Sequence, residues 1–264
     1  MIFKVHGSRG SIPISSPNSV VYGGNTSCYE LIHGDYQLIF DTGTGFREVK
    51  IDKSKRTFIF YSHWHHDHIQ GLAFNYGIFD SEKKINICSA LNNKKTSQNI
   101  VNKYFSGYYF PLDLTKSLKN LIFFEFTDVQ KKLKKDFLIE SVSLNHPGGA
   151  VGYSIKCNDT KISILLDNEY KNSQFNNLYN FVSGSNLVLW DGMFTNEDLQ
   201  TKGIWGHSSI EQGVEFNNQC NVNDMLITHH DPLRSDEQLD ILAKGLPSGI
   251  SFAKDGMTFN FTKN

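Results

Sequence analysis

Short apolar runs, many of them β-branched or aromatic, recur along the chain and are broken by Gly, Asn and Asp. Runs of this length and composition predict strands over 3–5, 27–32, 37–40, 57–61, 85–88, 121–126, 138–144, 151–156, 161–166, 187–190, 225–228, 250–252 and 257–261. Helical spacing of apolar residues predicts helices over 91–104, 172–181, 208–216 and 235–244. Ser208 with Glu211 three residues on reads as a capping box opening the third of these. So many strands with interspersed helices imply layered sheets covered by helices, an α/β architecture, because every sheet face has to be buried. No Pro- or Ser-rich linker divides the 264 residues, and a chain of that length closes one sizeable core, so a single domain over 1–264 is expected.

Hydrophobic residues at 39% and charged residues at 20% exclude a disordered tail or a fibrous repeat. Lys plus Arg number 26 against 27 Asp plus Glu, a net charge of -1, which excludes the strongly basic footprint of a nonspecific nucleic-acid binder but leaves room for a local patch. No basic segment followed by an apolar one opens the chain, and no apolar run approaches membrane-spanning length. The expected compartment is therefore the cytoplasm, with no membrane partner. Cys28, Cys88, Cys157 and Cys220 are scattered without a C-x-x-C pair, so neither a cysteine zinc knuckle nor a redox dithiol is indicated. The stretch 83–135 is rich in Lys and Asn, which reads as a solvated face. Within it Tyr104, Phe105, Tyr108, Tyr109 and Phe110 form an aromatic run whose role, lid, pocket wall or ordinary packing, stays open.

The 10 histidines are unevenly spread. The apolar run Thr57-Phe58-Ile59-Phe60-Tyr61 leads straight into Ser62-His63-Trp64-His65-His66-Asp67-His68-Ile69-Gln70-Gly71. Imidazoles crowded at a strand end make a poor core, because each ring nitrogen taken out of water needs a partner. A metal ion supplies one. His63 and His65, two apart, project to one side of an extended chain, while Asp67 and His68 lie beyond a turn and face a second ion. Mixed imidazole and carboxylate ligands, with no thiolate nearby, suit Zn²⁺, Fe²⁺ or Mn²⁺. Three further predicted strands end in ligand types: His146 before Pro147-Gly148-Gly149, Asp167 after Leu166, and His229-His230 after Thr228. Neighbours on a strand point opposite ways, so the choice between His229 and His230 stays open. Asp41-Thr42-Gly43 matches the D-T-G of aspartic proteases, but that chemistry needs two carboxylates sharing a proton and no second D-T-G occurs.

The spacing H-x-H-x-D-H, after an apolar strand and before Ile69-Gln70-Gly71, resembles the signature of the metallo-β-lactamase superfamily. The downstream histidines and aspartate follow in the order this resemblance requires, over nearly the whole chain. It implies a four-layer αββα sandwich with metals at one edge of two central sheets. It also implies two divalent ions, zinc with manganese or iron as alternatives. His63, His65 and His146 hold one, Asp67, His68 and His229 the other, and Asp167 bridges them. Asp41 supports the metal loop through hydrogen bonds. Trp64 and His66 fill variable positions, and a hydroxide between the ions is the implied nucleophile.

Gly7-Ser8-Arg9-Gly10-Ser11, Tyr22-Gly23-Gly24-Asn25-Thr26-Ser27, Trp190-Asp191-Gly192 and Gly206-His207-Ser208-Ser209 resemble one branch of that superfamily, which contains tRNase Z and cyclic-nucleotide phosphodiesterase-like proteins. In the tRNase Z pattern the last histidine assists leaving-group departure and an acid orients it, which makes His207, Asp191 and Asp67 the implied catalytic residues. That pattern also carries a long tRNA-gripping arm between the third ligand motif and the bridging aspartate. Here residues 150–166 have room for one hairpin, and a net charge near zero yields little counterion release with a polyanion. The expected substrate is a small phosphodiester such as a cyclic nucleotide, stacked on Tyr109, Phe110 or Trp205, with no stable nucleic-acid complex. The alternatives are a lactonase or β-lactamase acting on a carbonyl, and a tRNase Z-like ribonuclease without the arm. A homodimer is compatible with the sequence.

Overall fold

The computed structural model describes residues 1–202, 205–220 and 222–261. Among these residues the strands β1 (Ile2–Gly7), β2 (Cys28–His33), β3 (Tyr36–Phe40), β4 (Arg56–Tyr61), β5 (Ile85–Ser89) and β6 (Leu121–Phe123) lie side by side in one sheet. A second sheet takes β7 (Leu138–Leu144), β8 (Ala150–Cys157), β9 (Thr160–Leu165), β10 (Leu187–Asp191), β11 (Asp224–Thr228) and β12 (Ile250–Phe252), and β13 (Thr258–Asn260) returns to the first sheet beside β1. The helices are α1 (His66–Ile69), α2 (Lys94–Tyr104), α3 (Leu114–Ser117), α4 (Phe126–Leu133), α5 (Phe175–Val182), α6 (Asn196–Lys202), α7 (Ile210–Cys220) and α8 (Asp236–Ala243).

Alternation along the strands divides the core into layers. Phe58 and Phe60 of β4 and Leu187 and Leu189 of β10 meet between the sheets, with Phe40, Tyr153, Ile155 and Ile164. Their neighbours Ile59 and Tyr61 face outward under Val101 of α2 and Leu114 of α3, while Val188 and Trp190 face outward under Leu178, Phe216 and Leu239 of α5, α7 and α8. The result is helix, sheet, sheet, helix. β3 to β6 run parallel, as do β9 to β12. Parallel pairing puts many carboxyl ends on one edge, where loops carry chemistry.

Two hydroxyls bolt the sheets together at that edge. Tyr153 on β8 donates to the Tyr61 carbonyl at 2.8 Å and accepts from the Ala90 N–H at 2.9 Å. Tyr29 on β2 meets Thr228 at the end of β11 across 2.6 Å.

The expected strand 121–126 stops at Phe123, because Phe126, Val129 and Leu133 recur at helical spacing and bury one face of α4, with Asp128 in its first turn. The expected capping box is displaced by one residue. Ser209 accepts from the Gln212 N–H and Gln212 accepts from the Ser209 N–H, while Ser208 is spent on the Asn168 carbonyl and the Tyr170 N–H. Among the described residues no helix is long and apolar enough to cross a membrane.

Tyr153→Phe keeps the ring but takes from the Ala90 N–H its acceptor and from the Tyr61 carbonyl one of its two side-chain donors, the other being Ser89 Oγ. It should lower unfolding free energy by about 1–3 kcal/mol in urea titration. An unchanged midpoint would show that the hydroxyl contributes nothing.

Candidate metal centre

The sequence-predicted ligands arrive at one edge from four strand ends. His63, His65, Asp67 and His68 follow β4, the last two inside the short turn α1; His146 follows β7, Asp167 follows β9 and His229 follows β11. Sharp chain reversals aim them inward. Asp41 after β3, Asp167 and His229 have φ of 58°, 51° and 60°, and Ser11 in the first loop has 61°. Each such left-handed non-glycine residue costs on the order of 1–3 kcal/mol, so their clustering marks a place where side-chain direction outranks backbone comfort. Gly10 serves the same site, since a Cβ there would lie 2.4 Å from the His229 ring.

Two ligand groups result: His63, His65, His146 and Asp167, and Asp67, His68, Asp167 and His229, with the donor atoms of each within 4.8 Å of one another. Asp167 belongs to both. Its Oδ2 lies 3.6 Å from Nε2 of His63 and of His146, while Oδ1 lies 3.1 Å from His68 Nε2 and 3.4 Å from His229 Nδ1. Asp67 Oδ2 stands 3.3 Å from His68 Nε2 and 3.6 Å from His229 Nε2, and accepts from the Ser11 N–H at 2.8 Å. His65 Nδ1 and His146 Nε2 approach to 3.0 Å.

Outer partners settle which ring nitrogens face inward. His146 Nδ1 donates to the Gly206 carbonyl at 2.8 Å, and His68 Nδ1 donates to Asp41 Oδ2 at 2.8 Å. Ser62 gives its proton to Asp41 and so accepts from His63 Nδ1 at 3.0 Å. His63 and His146 therefore turn a bare Nε2 lone pair toward the centre, and His68 directs its Nε2 there as well. Asp41 is fully engaged, taking the Ser62 N–H as well at 2.8 Å. The centre is the opposite: His63 Nε2, His68 Nε2 and Asp167 Oδ1 are buried without a hydrogen-bond partner. Burial presses the His63 imidazole well below its usual range, while around His68 it is outweighed by Asp167, Asp67 and Asp41, which hold that ring well above it. Converging lone pairs and orphaned acceptors fit divalent cations. The donors, imidazole nitrogen and carboxylate oxygen with no thiolate, suit zinc, iron or manganese.

The remaining predicted residues separate. His207 lies beside the cluster, its ring stacked 4.9 Å from His229, and its Nδ1 holds Asp191 Oδ2 at 2.8 Å. Burial works against charge on His207, but Asp191 prevails and lifts it to about 9. Trp205, 60% exposed, lines a cleft of about 390 Å³ with His65, His66, Asp67, His146 and His207. Tyr109 is exposed and Phe110 packs edge-on between Phe74 and Phe105; neither is among the residues lining that cleft. His230 turns away, its Nε2 donating to the Ala253 carbonyl and its ring between Tyr22 and Phe252, where burial presses it down to about 3. Sequence reasoning missed Ser11, whose backbone N–H holds Asp67, and Ser27, 3.3 Å from His229 Nδ1. Neither residue type advertises such a role.

No protein-family model and no curated protein matches the chain. Solved structures do. The metallo-β-lactamase fold protein YhfI from Bacillus subtilis superposes with a TM-score of 0.69 at 18% identity, over 98% of this chain and 98% of its own. Human tRNase Z, short form, gives 0.71 at 17% identity over 100% of both chains. A diphosphatase from the PhnP family gives 0.68 at 15% identity over 99% of this chain and 98% of its own. At such identities the likeness speaks to architecture, and it runs the length of all three. The chain has the metallo-β-lactamase fold.

Proposed function

We propose that the chain is a metal-dependent hydrolase of a small phosphodiester, a cyclic nucleotide being the type, working with two divalent ions. Zinc is the first choice, with manganese or iron as alternatives. Asp167 carries this reading: its two oxygens face different imidazole groups, as a bridging carboxylate must. His63, His65, His146 and Asp167 would hold one ion, and Asp67, His68, Asp167 and His229 the other. When bound, such ions supply a water of lowered pKa and positive charge for phosphoryl oxygens.

The chain's own residues do the rest. Asp41, Ser62 and the Gly206 carbonyl hold three ligand rings in the right tautomer. His207, charged through Asp191, protonates the departing alkoxide from the cleft wall. This pair favours phosphodiesters over carbonyl substrates, as does the company of a tRNase and a diphosphatase among the fold neighbours. A small substrate is favoured because β8 and β9 are joined by Asn158 and Asp159 alone, leaving no room there for an arm to grip an RNA. The exposed Trp205 offers a face for a base.

The zinc-loaded chain should hydrolyse bis-p-nitrophenyl phosphate and at least one cyclic mono- or dinucleotide. Turnover of a lactone with none of these would replace the reading by a carbonyl hydrolase. Asp67→Ala should reduce turnover to background with the circular dichroism spectrum retained; full activity in that variant would refute the ligand assignment. Asp41→Asn, which touches no proposed ion, should weaken zinc binding by about 10–100-fold in calorimetry. Wild-type affinity there would show that Asp41 does not orient His68.

A further inference from the structure

His66 is the one imidazole of the His63–His68 segment that neither ligand group takes in. It opens α1 directly before Asp67, is exposed, and lines the cleft. Its Nδ1 meets the hydroxyl of Tyr104, with the ring centroids 5.0 Å apart. Tyr104 is a firm anchor. It is the last residue of α2, and its ring packs 4.9 Å from that of Phe105, which is buried in the outer core with Val101 and Leu114.

The contact holds the ring and, because a phenol O–H is the stronger donor and an imidazole nitrogen the stronger acceptor, favours the tautomer in which Nδ1 accepts. A neutral imidazole that accepts the phenol at Nδ1 carries its proton on Nε2, and an imidazolium carries one there as well. Among the described residues no hydrogen bond reaches His66 Nε2, which leaves that N–H unspent on an exposed ring that lines the cleft. In either charge state a donor stands beside Asp67, where the anionic part of a substrate would lie.

We infer that His66 is a substrate-positioning residue, donating through Nε2 to a non-bridging oxygen of the substrate's phosphoryl group, with Tyr104 holding the ring. This rests on the phosphodiester reading and adds a recognition element to it. A bond made equally in the bound and transition states lowers KM and leaves kcat alone.

With bis-p-nitrophenyl phosphate and the zinc-loaded protein, His66→Ala should raise KM about tenfold, the effect of one hydrogen bond to a charged group, with kcat within about twofold. His66→Gln, which keeps an N–H at similar reach, should recover most of the loss, and Tyr104→Phe should raise KM about threefold. Inorganic phosphate binding, measured by calorimetry, should weaken by the same factor in His66→Ala while zinc per chain stays at the wild-type value. Unchanged KM and phosphate affinity overturn the inference; so does loss of zinc, which would make His66 part of the ion's own support. A wild-type chain that turns over no phosphodiester yet binds phosphate through His66 sinks the hydrolase reading and upholds the positioning role.

Discussion

Taking His63, His68, His146, His229, Asp67 and Asp167 out of water in one place is the demand around which the molecule is arranged. Each group loses hydration worth several kcal/mol and keeps its place only if something replaces that hydration. At the periphery replacement is complete: Asp41 takes three hydrogen bonds, and the Gly206 carbonyl and Ser62 take one ring nitrogen each. At the centre it fails, and the atoms left over are the acceptors that face one another. An ordinary buried polar network closes on itself. This one leaves His63 Nε2, His68 Nε2 and Asp167 Oδ1 unpaired at its middle, which is the arrangement a cation completes.

The fold meets that demand at the cost of strain. Parallel strands deliver Asp41, His63, Asp167 and His229 to one edge, and left-handed residues turn the chain there. The loops that close over the edge are held from the opposite side. Arg9, fully buried, donates to the carbonyls of Gly23, Asp231 and Arg234 and lies 3.6 Å from Asp236. Asp255 gathers the N–H groups of Ser8 and Asn25. These ties seat Gly10 under His229 and Ser11 on Asp67, so the glycine- and serine-rich first loops serve the ligands without touching an ion.

Strand pattern and strand-end ligands were readable because both follow from local rules: alternation marks the sheet faces, and H-x-H-x-D-H places histidines where an extended chain turns. The choice between His229 and His230 was not, since it depends on a left-handed φ that no residue type at that position signals. Helix α4 was hidden by the apolar run before it, whose last members belong to the helix. The aromatic residues show the limit most clearly. Tyr109, Phe110 and Trp205 look alike as sequence, yet packing against Phe74 and Phe105 takes Phe110 into the core side, while Trp205 stands at the cleft beside Pro147. Direction of a loop side chain is a tertiary property.

One device is repeated through the site and sorts its histidines by task. His63, His68, His146, His207 and His66 are each held at Nδ1, leaving Nε2 for the interior or the cleft. The partner decides what Nε2 can do. The Ser62 hydroxyl and the Gly206 carbonyl leave His63 and His146 with an inward lone pair; a carboxylate favours the charged ring, as Asp191 does at His207 and Asp41 does at His68; the Tyr104 phenol donates to His66 and leaves a plain N–H. His146 and His207 are also coupled through one turn, because the carbonyl that accepts from His146 Nδ1 belongs to Gly206, next to His207. Gly206 has φ of 82°, and a Cβ there would lie 2.2 Å from Pro147 Cδ and 2.8 Å from His146 Nδ1, so this peptide can take no other residue without moving both rings. The positions of the His146 and His207 rings are thus set by a single turn of backbone.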